Sequence, residues 1–139
     1  MSLFDVMDVA SSSLNAQTVR LHTIAENMAN ANTVSSTADD TYRAKAPVFK
    51  AILDGQVDPM DAPKLGVELD GVVEVGGPAR QEFSPSHPLA DENGYIYRPD
   101  IDAATEMSSM MQASRSFQNS IEAINTAKQL ALRTLTLGK

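Results

Sequence analysis

All seven prolines of this chain lie between Pro47 and Pro99, and six of its seven glycines lie between Gly55 and Gly94. Residues 1–46 and 100–137 contain neither. Proline inside a helix removes a hydrogen bond and clashes with the preceding turn, and an interior glycine costs about 1 kcal/mol relative to alanine. The two breaker-free ends are therefore free to be long helices, and the middle is not. This division predicts a two-helix rod with an irregular insert, and a surface built for partners instead of a pocket built for chemistry.

Both ends carry apolar residues at heptad spacing. In the first, Leu3, Met7, Ala10, Leu14, Gln17, Leu21, Ile24, Met28 and Ala31 step by three and four, with Met7, Leu14, Leu21 and Met28 at strict sevens. This is the narrow seam of a coiled coil. It predicts a helix over about residues 3–30, roughly 40 Å long at the usual rise. Asp5 and Asp8 suit the positive end of its dipole, and Asn30 and Asn32 suit its end because Asn tolerates left-handed geometry. A second helix is expected after Pro99, capped by Asp100 or Asp102 and stopped at Gly138. Its seam reads Ala103, Met107, Met110, Ser114, Phe117, Ile121, Ile124, Lys128, Ala131 and Leu135, with Met110, Phe117, Ile124 and Ala131 at sevens.

Between Asp39 and Asp102 lie 13 of the 18 acidic residues and 6 of the 11 basic ones. Residues 65–75 alternate apolar and polar on either side of Asp70-Gly71, a hairpin signal. Asn93-Gly94, followed by Tyr95-Ile96-Tyr97, is a second turn. Residues 33–46 and 54–64 read as loops. The fold class is thus mainly α: long N- and C-terminal helices forming an antiparallel or nested coiled coil, with an irregular, β-hairpin-containing middle. The units are residues 1–32, 33–99 and 100–139, together one structural body.

A net charge of −7 disfavours nucleic acid and anionic membrane as partners, because phosphate contacts need clustered Lys and Arg. There is no cysteine, hence no disulfide and no thiolate metal site. No run nears the ~20 apolar residues of a membrane helix. No cleavable signal is visible, since Asp5 and Asp8 stand where such a segment wants Lys or Arg.

Catalytic and metal readings are weak. Ser11-Ser12-Ser13 lacks a nucleophile elbow and reads as a polar helix face. His22 and Glu26 are four apart but lack a third ligand. His87 and Asp91 can be drawn as a base and its orienter, which a rigid Pro-flanked loop residue does not need to be. Asp39-Asp40 and Asp54, Asp58, Asp61 lack the glycine and terminal glutamate of a calcium loop. No enzyme, no cofactor and no metal is the expectation.

Asn27-Met28-Ala29-Asn30-Ala31-Asn32-Thr33 after the first heptad helix resembles the Asn-rich motif of the flagellar rod and hook protein family. Thr41-Tyr42-Arg43-Ala44-Lys45 follows in place. His87 through Pro99, Glu106-Met107, Ala113 to Phe117, Asn125 to Lys128 and Thr134 to Gly138 look like the proximal-rod members. Asp100 stands where that pattern usually has Asn, and Thr41 where Pro is common. The resemblance implies a structural subunit of the bacterial flagellar basal-body rod, which transmits torque through the periplasm. It implies export without cleavage through the flagellar type III apparatus. Implied partners are rod proteins of the FlgB, FlgF and FlgG types, the ring-junction protein FliE, and copies of itself. Assembly is then expected at Leu14, Leu21, Asn27, Met28, Asn30, Asn32, Thr33, Tyr42, Arg43, Phe117, Ile121, Ile124, Leu130, Leu132, Leu135 and Leu137. Within that set, Leu14, Leu21, Met28, Phe117, Ile121 and Ile124, with Met110, are assigned to the intramolecular seam, and the four C-terminal leucines to neighbours. Asn27–Thr33 either bridges to a neighbour or simply ends the helix. The isolated chain is expected to be partly disordered at both ends. A soluble coiled-coil adaptor or export chaperone, a hydrolase using His87, and a hook or filament component are the rival readings.

Overall fold

The computed structural model describes residues 3–54 and 64–137, with backbone only at Phe4, Leu53, Asp54, Lys64, Leu65 and Leu137. The elements run α1 (Leu3–Asn30), β1 (Lys45–Asp54), β2 (Lys64–Glu74), β3 (Arg80–Phe83), β4 (Tyr95–Arg98) and α2 (Ala103–Leu137). The fold is two terminal helices around a small two-sheet middle, as the distribution of breakers predicts. Asp58, Asp61 and the expected stop at Gly138 lie outside the described residues.

Of the two candidate caps, Asp102 is the one used. Its carboxylate accepts from the Ala104 N–H at 3.3 Å and the Thr105 N–H at 3.2 Å, satisfying donors that have no helical partner. Asp100 instead pairs with Arg80 at 2.6 Å. The end of α1 departs from expectation. No non-glycine residue among those described has positive φ, so neither Asn30 nor Asn32 stops the helix in left-handed geometry. Asn30 Nδ2 instead donates to the Glu26 carbonyl at 2.9 Å, and Thr33 donates to the Asn30 carbonyl through both its N–H and its hydroxyl.

The helices run antiparallel. Asn27 faces Glu106, Ser13 meets Ser120 at 3.1 Å, and Leu3 and Leu130 line one groove. Each pair shifts toward the start of α1 as it shifts toward the end of α2. Residues 131–137 of α2 therefore run past the first residue of α1, by about 10 Å at helical rise.

The seam on α2 is rotated from the one the large residues predict. Its deepest line is Ala113, Ser120 and Ala127, seven apart and 0%, 9% and 3% exposed. Met110, Phe117 and Ile124 flank that line, half-buried. Ile121, assigned to the seam from its spacing, is 39% exposed, and Met107 is 57% exposed. Small side chains allow closer approach of the helix axes, and the contact centres on them. The stripe on α1 is also wider than a coiled-coil seam: Thr23 and Asn27 are buried beside Ala10, Ile24 and Ala31. The reason is that α1 touches β1 and β2 as well as α2.

β1 and β2 form an antiparallel ribbon running from Lys45↔Glu74 to Asp54↔Lys64. The expected hairpin turn at Asp70-Gly71 is not formed. Both residues lie inside β2, where the register slips: Val48 faces Gly71 and Phe49 faces Leu69, so Asp70 is the extra residue of a bulge. A bulge uses the same permissive residues as a turn, and the ten residues of β1 offer a longer partner than a short hairpin could. The ribbon lies along α1. Lys45 meets Asn27 near one end, and the Val67 N–H donates to Ser12 Oγ at 3.2 Å further along. Two strands alone are marginal in water, so this packing is what holds them.

Asn93-Gly94 does turn the chain. Gly94 has φ +81°, and its N–H donates to the Asp91 carbonyl at 2.9 Å. The Asp91 carboxylate accepts from the N–H groups of Asn93 and Tyr95 and from the Tyr97 hydroxyl. This launches β4, which pairs with β3 and buries Ile96 to 1% exposure. A bridge between Ser35 and Tyr97 ties the segment after α1 to the same sheet.

Two outcomes follow for the isolated chain. Ala113→Leu forces bulk into the tightest point between the helices and should destabilise by about 2 kcal/mol, read as a lower denaturant midpoint with unchanged m-value. Hydrogen bonds, the Tyr95 N–H foremost, hold the Asp91 pKa below its ordinary 3.8, and the Thr105 hydroxyl does most to lower that of Asp102. A carboxylate depressed in the folded state stabilises fully above its ordinary range and loses that contribution as pH falls through the lowered value. Stability should therefore drain below the ordinary aspartate range, and Asp91→Asn should flatten that acid limb in melts taken across pH 2–5.

Candidate assembly site

Two features of this molecule stand out: a polar junction that fixes its shape and an apolar surface that the shape leaves uncovered. The junction is centred on Asn27, which is 2% exposed. The residue lies in the last turn of α1. Its Oδ1 accepts from the Lys45 N–H at 2.9 Å and from the Tyr42 hydroxyl at 3.0 Å. Its Nδ2 donates to the Lys45 carbonyl at 2.9 Å and reaches Glu106 Oε1 at 3.5 Å. The side-chain amide thus behaves as a strand neighbour to Lys45, satisfying both its backbone groups. It joins α1, the 31–44 segment, β1 and α2 at one point.

The surroundings reinforce that point. Lys45 Nζ lies 3.4 Å from Glu26 and 5.7 Å above the Tyr42 ring. Burial, with the nearby carboxylates of Glu26, Glu106 and Glu74, raises the Tyr42 pKa against the opposing pull of Lys45, so the phenol stays a donor. Next to it, Asp100 packs against Gly77. A Cβ at position 77 would fall 2.6 Å from Asp100 Oδ2, so a larger residue there would push the Asp100 carboxylate from the place where it meets Arg80. Thr41, at the other departure from the family pattern, is buried and donates to the Thr37 carbonyl at 2.9 Å.

The rest of the predicted set falls into three groups. Leu14, Leu21, Met28, Phe117 and Ile124 are half-buried between or beside the helices, as are Asn30 and Tyr42. Asn32, Thr33 and Arg43 are exposed. Leu130, Leu132 and Leu135 are 50%, 54% and 70% exposed at the far end of α2, while the Leu137 side chain lies outside the described residues. Met107 and Met111, both more than half exposed, add to the apolar surface of α2.

Serine packing was missed from sequence. Ser12 and Ser13 do not belong to a solvated polar face: Ser12 Oγ donates to the Val9 carbonyl and accepts from Val67, and Ser13 meets Ser120. The drawn base and orienter are not paired. His87 Nδ1 accepts from the Leu89 N–H at 3.1 Å, and Asp91 is engaged in its turn. His22 and Glu26 stand 3.6 Å apart at the surface. Among the described residues no group of three His, Cys, Asp or Glu is arranged to hold a metal, and no helix is long and apolar enough to cross a membrane.

Comparison with known proteins is consistent along the whole chain. Residues 7–34 match the family model described as flagella basal body rod protein, and residues 92–137 match that of the flagellar basal body rod FlgEFG protein C-terminal. The flagellar basal-body rod protein FlgC of Salmonella typhimurium is 42% identical over 100% of both chains. That of Yersinia enterocolitica is also 42% identical over 100% of both. That of Agrobacterium fabrum is 33% identical, covering 94% of this chain and 91% of its own.

Removing the Asn27 amide leaves the Lys45 N–H and C=O without their partner. Asn27→Ala should cost about 3 kcal/mol, given ~1–3 kcal/mol for each stranded buried group. Tyr42→Phe removes one bond and should cost about 1 kcal/mol. A double-mutant cycle in urea should show the two effects to be non-additive, because they share the Asn27 oxygen.

Proposed function

Since this chain belongs to the FlgC family of flagellar basal-body rod proteins and is a structural subunit of the basal-body rod, we propose that its antiparallel helices act as a wall element of a torque-bearing tube. In this reading α1 and α2 extend into a nested coiled coil with helices of neighbouring subunits. Residues 1–32, 33–99 and 100–139 work as one structural unit. The chain binds and transmits; it does not catalyse. Its neighbours are other rod proteins of the FlgB, FlgF and FlgG types, the junction protein FliE and copies of itself. It reaches the periplasmic rod through the type III apparatus.

The observation that carries this reading is the uncovered apolar end of α2. Leu132 and Leu135 extend beyond the last pairing with α1 and remain more than half exposed. Each leucine buried in a neighbour would contribute about 2 kcal/mol. Contacts between like subunits that do not close on themselves generate helical assemblies. Met107, Met111 and Ile121 supply a second, lateral strip on the same helix.

The role of Asn27 in this scheme is indirect. Its amide is consumed within the chain, so it sets the angle at which the ribbon leaves α1. The exposed members of the motif, Asn32 and Thr33, and the exposed Arg43 are then the ones that meet a neighbour. Shear strength comes from the helices, and orientation comes from the junction.

A chain truncated after Ala131 should still be exported and should keep the helix pairing traced from Leu3 to Leu130, yet be missing from purified basal bodies, and cells carrying only that chain should not swim. Immunoblots of culture medium and basal bodies check this. Working motors built from the truncated chain would remove the C-terminal leucines from the assembly surface.

A further inference from the structure

Asn93 is the one asparagine of this sequence that precedes glycine. In such a pair the backbone nitrogen of the glycine can attack the side-chain carbonyl carbon of the asparagine. Glycine has no Cβ to hinder the nitrogen, and its backbone reaches the needed rotation freely. The Gly94 nitrogen gives up its proton and bonds to Asn93 Cγ. The bond from Cγ to the side-chain nitrogen breaks, and that nitrogen leaves with the proton as ammonia. Water then opens the resulting ring at one of its two carbonyls. One opening leaves aspartate at position 93. The other leaves isoaspartate, in which the backbone runs through the side chain and is longer by one methylene.

The fold both demands this pair and guards it. Gly94 has φ +81°, and a Cβ there would lie 3.0 Å from the Phe83 ring and 3.1 Å from Pro85, so a slower-reacting neighbour does not fit. Asn93 is exposed, whereas Gly94 is buried. The Gly94 N–H carries the proton that must leave, and it donates to the Asp91 carbonyl at 2.9 Å. The Gly94 carbonyl accepts from the Ser84 N–H at 2.9 Å, and the Asp91 N–H donates to the Tyr95 carbonyl at 2.8 Å. The N–H groups of Asn93 and Tyr95 both donate to Asp91 Oδ1, at 2.9 Å and 2.8 Å. Bringing the Gly94 nitrogen onto Asn93 Cγ rotates the peptide between them, which pulls against all of these bonds.

We propose that Asn93 is a site of intramolecular deamidation, closed in the folded chain by the Asp91–Tyr95 turn and open whenever that turn is unmade. The product does not rebuild the turn. Isoaspartate lengthens the path from Asp91 to Gly94, so Gly94 no longer meets both the Asp91 carbonyl and the Ser84 N–H. Aspartate sets a third carboxylate beside Asp91 and Glu92. A chain that waits unfolded therefore acquires a mark that hinders the launch of β4 and the burial of Ile96. The site stands apart from the rod reading, which could fail without touching it.

The full chain, held at neutral pH in buffer or in guanidinium chloride and sampled by tryptic digestion, tests this. The tryptic peptide from Gln81 to Arg115 contains Asn93 as its one asparagine, because Pro99 blocks cleavage after Arg98. Its gain of about one dalton follows the reaction, whereas cyclisation at an Asp-Gly pair leaves the mass unchanged. Deamidation should be about tenfold slower, or more, in buffer than in denaturant, because it must wait for local opening. Asp91→Ala takes the acceptor from Asn93 and Tyr95; it should speed the reaction severalfold in buffer and leave the rate in denaturant unchanged. Asn119, followed by serine in α2, reports global unfolding in the same samples. Equal rates in buffer and denaturant would overturn the proposal. So would a rate that Asp91→Ala leaves unmoved, or one that rises only in step with that of Asn119.

Discussion

The arrangement depends on one buried amide. A helix can be followed by a strand in many directions, and nothing in α1 itself selects one. Asn27 selects it by bonding both backbone groups of Lys45, eighteen residues later. That two-point bond lays the ribbon along α1 and sets Tyr42 in place. It also aligns the start of α2 through Glu106. A side chain offering only a donor or only an acceptor would satisfy half of Lys45 and leave the other half buried without a partner, which costs more than the bond gained. Asparagine is therefore chemically specific at this position.

From that junction the helices run back along one another on a floor of alanine and serine. Small residues at the centre displace the large ones to the flanks. Phe117 and Ile124 become half-buried shoulders, while Met107, Met111 and Ile121 become surface. Those side chains are apolar surface that a partner could cover. The offset between α1 and α2 has the same effect at the end, where it exposes Leu132 and Leu135. The apolar surface is thus a product of which residues occupy the seam.

The helices were legible from breakers and periodicity because both act locally; the expected span of about 3–30 matches the observed Leu3–Asn30. Asn93-Gly94 was legible for the same reason. Asp70-Gly71 misled because a bulge and a turn call for the same residues, and only the distant partner β1 distinguishes them. The α2 seam misled because heptad spacing gives a period but leaves the phase to the facing helix; apolar size pointed to Phe117, whereas closest approach selected Ala113 and Ser120. Asn27 was marked by its motif, yet Lys45, its bonding partner, lies in another element. The choice of Asp102 over Asp100 as cap turned on Arg80 and on the bare Cα of Gly77, neither visible in local pattern.

Seams floored by alanine and serine have a mechanical side. An alanine surrenders far less burial free energy than a leucine when it is pulled from its place, and the hydroxyls of Ser12, Ser13 and Ser120 can exchange their partners for water. Such a pair yields more readily than one floored by leucine would. Contacts made from outside on Phe117 and Ile124 would add to what such a pair must break before it yields, so its response to load follows from side-chain size in the seam.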